Sequence, residues 1–307
     1  MRDHAIKELE KLAEHDEDII LMNGDLGFSV LDDFHDKYPD RWINAGICEQ
    51  NMMGVAAGIA LTGKKVFVYS IGNFPAMRCL EQIRNDVCYN KTDVKILAVG
   101  GGFSYGQLGM SHHATEDYAI MRALPEMRVY SPADSIDAVN AIDEVYNTKG
   151  PCYIRLAKNK EPILDRMEYY GKFVQKIKDG GEIAVLSTGP VIDEAIKAAE
   201  KLKNENNTDI SVFNIVQLKP VPDIVYEEII RNYKLIITIE EHNVIGGLGS
   251  AISDEITKNN NNCKLIKMGL NDEYTSIVGS QAYLRKYYGL SNDDIVKIVK
   301  AYQTSVN

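Results

Sequence analysis

The chain's 307 residues are 45% hydrophobic and 25% charged, the make-up of an ordinary globular protein long enough for two domains with separate cores. A net charge of −10 and a pI near 5.2 argue against a nucleic-acid partner, because affinity for a phosphate backbone comes from clustered Lys and Arg. The five cysteines (Cys48, Cys79, Cys88, Cys152 and Cys263) are odd in number, lack CxxC spacing and mostly sit in apolar runs, so they read as small reduced core residues of a cytoplasmic chain.

The N-terminal "MRDHAIKELEKLAEHDEDII" has the pattern of a charged amphipathic helix without a signal-peptide core, and no apolar run reaches membrane-spanning length. The expectation is a chain neither exported nor anchored, with no membrane partner. Short apolar runs then alternate with helix-period segments. Residues 19–24, 65–70, 95–100, 127–132 and 152–157 read as strands, and their continuous apolarity predicts burial on both faces of a mainly parallel sheet between helices. In "SPADSIDAVNAIDEVY" either Ser131 or Asp134 can cap a helix whose first turn would take Pro132. Residues 159–181 are charged and weakly periodic, and read as a linker with room for a short hairpin. A second series follows, with strands at 182–189, 209–216, 235–242 and 263–270 and helices at 190–203, 222–232 and 249–258. The predicted fold class is α/β: two three-layer α/β/α domains with mainly parallel sheets, over 1–158 and 182–307.

Three glycine-rich turns, "NGDLG" (23–27), "VGGGF" (99–103) and "IGGLGS" (245–250), each follow a strand. None has GxGxxG or GxxxxGK[ST] spacing, so tight strand-to-helix turns account for them, and classical dinucleotide and ATP sites are not expected. In "GMSHHAT" (109–115) two histidines flanked by Ser111 and Thr115 enter a helix; they are either a solvated helix start or polar contacts to a ligand beyond the strand ends. Adjacent histidines cannot easily point at one ion, so no metal ligand is assigned. Glu49 in "GICEQ" is, taken alone, a carboxylate favoured at a helix N-terminus by the helix dipole.

Taken together, "GICEQNMMGVAAGIALTGKKVFVYS", "FPAMRCLEQIRND", "LGMSHHATEDYAIMRALPEMRVYSPAD" and "TIEEHNVIGGLGSAI" resemble the pyrimidine-binding and C-terminal domains of the transketolase family of thiamine diphosphate enzymes, over nearly the whole chain. The family's diphosphate-binding domain carries GDG and a later asparagine that hold the metal, whereas "NGDLG" has GDL without that sequel. The resemblance therefore implies the C-terminal subunit of a split transketolase. Its partner would be an N-terminal subunit carrying the diphosphate-binding domain and most of the grip on Mg²⁺, in a heterotetramer of two plus two chains.

The same resemblance implies a two-carbon ketol transfer from a ketose phosphate to an aldose phosphate. Glu49 falls on the glutamate that hydrogen-bonds N1′ of the cofactor's aminopyrimidine, and neighbours Gly46, Ile47, Met52 and Met53 would desolvate it and favour its protonated form. Asp25, Ile47 and Arg78 fall on other cofactor-side positions. Gly72 and Pro75 stand where Phe is usual, and Phe74 is the candidate stacking ring, or else a core residue between strand and helix. Arg2, Ser29 and Lys158 fall toward the substrate phosphate, with Lys158 replacing an arginine. His112 matches a histidine facing substrate hydroxyls, and His113 replaces a glutamine. Leu108 stands where the family has a hydroxyl-reading aspartate, and Gly100–Gly102 where it has a phosphate-binding histidine, which implies a sugar other than the standard pentose phosphate pair. Alternatives are a 1-deoxyxylulose-5-phosphate synthase-like subunit, the β-subunit of a 2-oxo acid dehydrogenase, and a non-catalytic interaction subunit. The "SHHATED" block fits the dehydrogenase poorly, and retention of Glu49, Asp25 and His112 argues against a decayed site.

Overall fold

The computed structural model describes residues 1–158 and 161–306. In chain order the strands are β1 Ile19–Asn23, β2 Trp42–Asn44, β3 Lys65–Ile71, β4 Val94–Val99, β5 Arg128–Tyr130, β6 Cys152–Leu156, β7 Glu168–Tyr169, β8 Val174–Lys178, β9 Ile183–Ser187, β10 Ser211–Ile215, β11 Gln217–Lys219, β12 Leu235–Asn243 and β13 Lys264–Leu270. They form two sheets, ordered β11-β5-β6-β4-β3-β1-β2 and β13-β12-β9-β10-β8-β7. β1 to β6 pair in parallel, as do β9, β10, β12 and β13. Every residue of β1, β4, β6, β9 and β10 is buried, which is why their sequences show apolar runs and no alternation.

Helices cover both faces of each sheet. The helix Glu49–Leu61 turns Met52, Met53, Ala56, Ala57 and Ala60 inward at helical spacing, against Met22, Val66 and Val68. It ends at Thr62 and Gly63, whose φ of +99° lets the chain leave the helix. The N-terminal helix Arg2–Ala13 buries Ala5, Ile6 and Leu9 on the opposite face, with Ile142 and Val145 of helix Ser135–Asn147.

Several local expectations change. Asp134 caps helix Ser135–Asn147 by accepting from Asp137 N, while Ser131 bonds the Tyr118 hydroxyl at 2.5 Å and Pro132 lies before the helix. The 159–181 stretch carries β7 and β8, a hairpin added antiparallel to β10. The chain also returns to the first sheet after β10, where β11 pairs antiparallel with β5. β2 and β11 are only three residues long, too short for periodicity to reveal them. Cys79, Cys88 and Cys152 are buried, but Cys48 is exposed just before helix Glu49–Leu61. Among the described residues no helix is long and apolar enough to cross a membrane.

Polar clusters lock the two halves together. Arg166, beyond the first sheet, pairs with Asp134 and Asp137, and Asp137 also accepts from Gln175 and Asn214 of the second. Arg155 of β6 bonds Asp117 at 3.2 Å and the Glu241 carbonyl of β12 at 2.9 Å. The Glu241 carboxylate accepts from Phe103 N at 3.0 Å, from Gln281, and from Arg285. Burial opposes the Glu241 charge, but the Arg285 cation and these donors more than offset it and hold the carboxyl below its ordinary value. Lost contact on either side would strand a charge in the interior.

Candidate active site

The candidate residues gather beyond the carboxyl ends of the parallel strands, the usual ligand-binding edge of such a sheet. Asp25 follows β1, Glu49 follows β2, Phe74 and Arg78 follow β3, the 100–113 loop follows β4, and Lys158 follows β6. Arg2 arrives from the first helix, whose N-terminal Met1 Sδ accepts from Ala157 N.

Glu49 opens its helix and is 3% exposed. Its Oε2 accepts from Arg78 Nη1 at 2.6 Å; the arginine side chain is 47% exposed. The carboxylate is therefore buried against a hydrated cation. Met52 and Met53 are buried in the same helix, but Ile47 is 77% exposed and does not enclose it. A Cβ at Gly24 would lie in ordinary van der Waals contact with Glu49, 3.4 Å from its Cγ. Asn44 clasps the adjoining turns: Asp25 N and Gly46 N donate to its Oδ1 at 3.0 and 2.9 Å, and its Nδ2 donates to Asp25 Oδ1 at 3.0 Å. Asp25 and Ser29 both hold left-handed backbone, with φ of 54° and 64°, a strained conformation for residues other than glycine.

A continuous row of side chains leads away from Glu49. The Arg78 guanidinium lies 4.5 Å from the Phe74 ring centroid, Phe74 meets the His112 ring edge-on at 5.3 Å, and His112 lies 6.3 Å from the Tyr105 ring. Lys158 Nζ stands 4.4 Å from the centroid of Tyr105. Burial raises the Tyr105 phenol above its ordinary value and pushes Tyr69 up to about 12, and the Arg2 charge opposes the rise in both. Arg2, Tyr69, Tyr105 and Lys158 thus share one end of the row. A cleft of 380 Å³ lies beside them, lined by Tyr105, Leu108 and Lys158 from the first half and by Ser280 from the second. Leu108 is 54% exposed there.

The two histidines separate. His112 is part-exposed, with Nδ1 3.0 Å from Ser111 Oγ. His113 is buried, with Nδ1 2.6 Å from Thr275 Oγ1 and Nε2 3.2 Å from the Gly106 carbonyl; burial lowers its pKa below the ordinary value. Both of its ring nitrogens are used inside the chain, so it braces the loop against the second half. Ser29 is exposed and its N–H donates to the Asp32 carboxylate at 3.2 Å. No contact joins Ser29 to Arg2 or Lys158 among the described residues.

Sequence reading missed Asn44, Tyr69, Tyr105 and the Arg155–Glu241 pair. The three glycines after β4 carried the signal. An ideal Cβ at Gly101 would lie 1.8 Å from Arg155 Nε, and at Gly102 2.3 Å from Glu241 Oε2. The absent side chains are replaced by others from distant strands.

An aminopyrimidine fits this ground. A planar ring with polar nitrogens asks for an apolar surface and a buried carboxyl, which Phe74, exposed Ile47 and Glu49 supply. The buried Asn73 Oδ1 next to Phe74 has no hydrogen-bond partner among the described residues. No three His, Cys, Asp or Glu side chains gather as metal ligands among the described residues.

Residues 1–162 match the family model of the transketolase pyrimidine-binding domain, and residues 171–295 that of the transketolase C-terminal domain. The chain is 39% identical over 295 residues to a putative transketolase C-terminal section of Methanocaldococcus jannaschii, covering 94% of this chain and 92% of that one. It is 33% identical over 267 residues to one of the subunits of an apulose-4-phosphate transketolase of Actinobacillus succinogenes, covering 86% of each. Among solved structures it superposes on a split-gene transketolase described as an inactive beta4 tetramer, with a TM-score of 0.85, 33% identity, and coverage of 98% of this chain and 96% of that one. A transketolase of Campylobacter jejuni shares the fold at a TM-score of 0.81 and 19% identity, covering 98% of this chain but 46% of that one.

Proposed function

Because the chain belongs to the transketolase family, we propose that it is the C-terminal subunit of a split transketolase and moves a two-carbon ketol unit between sugar phosphates once joined to an N-terminal partner. The observation that carries this reading is the buried Glu49 carboxylate at the strand ends, in line with Arg78, Phe74 and His112. The names of relatives described as a C-terminal section, a subunit and a split-gene transketolase support the division between two chains.

Thiamine diphosphate, when bound, supplies a nucleophilic carbon and an electron sink for breaking and making the carbon–carbon bond. Glu49 hydrogen-bonds the ring nitrogen N1′ and exchanges a proton with it. Arg78 fixes the carboxyl rotamer from the other oxygen, and Phe74 with Ile47 gives the ring an apolar bed. Asp25, set in position by Asn44, faces the cofactor side. His112 hydrogen-bonds sugar hydroxyls and carries protons to and from them, while Arg2 and Lys158 attract the anionic end of the sugar. Leu108 offers no hydrogen bond where it lines the cleft, which favours a sugar outside the standard pentose phosphate pair. The apulose-4-phosphate name of one relative agrees with that preference. The metal and diphosphate fall to the partner, in an assembly of two plus two chains in the cytoplasm.

The test is reconstitution. The isolated chain should show no ketol transfer, and activity should arise on adding the N-terminal partner, thiamine diphosphate and Mg²⁺. Turnover by this chain alone, with tight cofactor binding in calorimetry, would overturn the split-subunit reading.

A further inference from the structure

Gly100 has φ +82°, and an ideal Cβ there would lie 2.0 Å from Cε2 and 2.4 Å from Cδ2 of Tyr105. The Tyr105 ring therefore occupies the space that a side chain at position 100 would fill. It reaches that space from the end of the site where Arg2 and Lys158 stand: Lys158 covers one face at 4.4 Å, and His112 lies 6.3 Å off. Tyr105 is part-exposed, and its hydroxyl makes no hydrogen bond among the described residues. A phenol beside the Lys158 cation and lining a cleft, with its O–H uncommitted and the Arg2 charge opposing its rise in pKa, is a directional donor near positive charge.

We propose that Tyr105 is a specificity-determining residue, its hydroxyl donating to the terminal phosphate or sulfonate of the sugar while its ring holds Lys158 in place. This rests on the ketol-transfer reading for the identity of the sugar, but the anion contact itself does not require turnover. Arg2, whose Nε donates to Asp3 Oδ1 at 3.2 Å, and Lys158 contribute positive charge. The phenol adds a donor whose position is set by packing, since its ring is held against the Gly100 backbone. Filling a void beside glycine would require only the ring.

The Tyr105→Phe variant separates the two roles, because it keeps the ring, the contact with Gly100 and the cation–π contact, and removes only the O–H. Thermal unfolding should be unchanged. Calorimetric titration of the chain with inorganic phosphate, and with a sugar phosphate, should show affinity falling about 10- to 100-fold, the worth of one hydrogen bond to a charged group. In the reconstituted complex KM for phosphorylated sugars should rise by a similar factor with kcat nearly unchanged, while KM for the unphosphorylated counterpart stays as in the wild type. Repeating the titration with a sulfonated sugar shows which anion the site prefers; a weakening with either supports the proposal. Weakened anion binding by the variant without ketol transfer in any complex would sink the functional reading and leave the Tyr105 contact standing. Equal affinities in wild type and variant, or no anion binding by the wild type, would overturn the contact.

Discussion

Glu49→Gln tests the site with the least damage to the fold. Glutamine keeps the shape of the side chain and can still accept from Arg78 Nη1, now 2.6 Å from a carboxylate oxygen. What is lost is one charge. Removing one member of a fully buried pair costs about 3–5 kcal/mol because the other charge is stranded, but here the survivor is Arg78, whose side chain is 47% exposed and stays hydrated. The stability cost should therefore be about 1 kcal/mol or less, a Tm shift of about 3 °C at most in a chain of this size. Chemistry should suffer far more: losing a positioned acid–base group slows the step by about 10²–10⁴, or roughly 3–5 kcal/mol of barrier. The assay is hydrogen–deuterium exchange at C2 of thiamine diphosphate in the reconstituted complex, followed by NMR beside a thermal melt. A wild-type exchange rate with an unchanged melt would refute the reasoning and leave Glu49 as a residue that merely suits a helix N-terminus.

Gly101→Ala should cost about 3 kcal/mol or more in urea unfolding, since the new methyl would fall 1.8 Å from Nε of the buried Arg155, which Asp117 and the Glu241 carbonyl hold in place; a loss under about 1 kcal/mol would show that this arginine can move. Stability should also depend on pH through His113 and Glu241. The folded state holds the His113 proton less tightly than an ordinary histidine, so below pH 6.5 the unfolded chain binds more protons and stability falls with falling pH until the folded histidine also titrates. Glu241, held below its ordinary 4.5, adds stability that is present above that value and lost as the pH falls through its folded value. Urea midpoints measured from about pH 2 to 8 should show both slopes, and His113→Gln should flatten only the upper one.

The sequence determined the elements whose pattern is local. Continuous apolar runs such as "KVFVYS" and "KILAVG" are strands buried on both faces, because only a covered parallel sheet hides such a run completely. It also showed, by one carboxylate in an apolar block and two histidines in a loop, where polar chemistry interrupts that pattern. Tertiary structure decided what those groups touch. Arg78 lies 29 residues from Glu49, and no local spacing announces that its guanidinium will reach the carboxylate. His112 and His113 are chain neighbours of the same type, yet one opens toward Phe74 and the other is buried on Thr275, 162 residues away. The glycines after β4 give the clearest case. In the sequence they are a tight turn after a strand, whereas in the fold they are the places from which side chains must be absent so that Tyr105, Arg155 and Glu241 can occupy the space. Periodicity records which face of an element is buried, but not which distant side chain fills the room beside it, and that contact is settled only when both sheets pack.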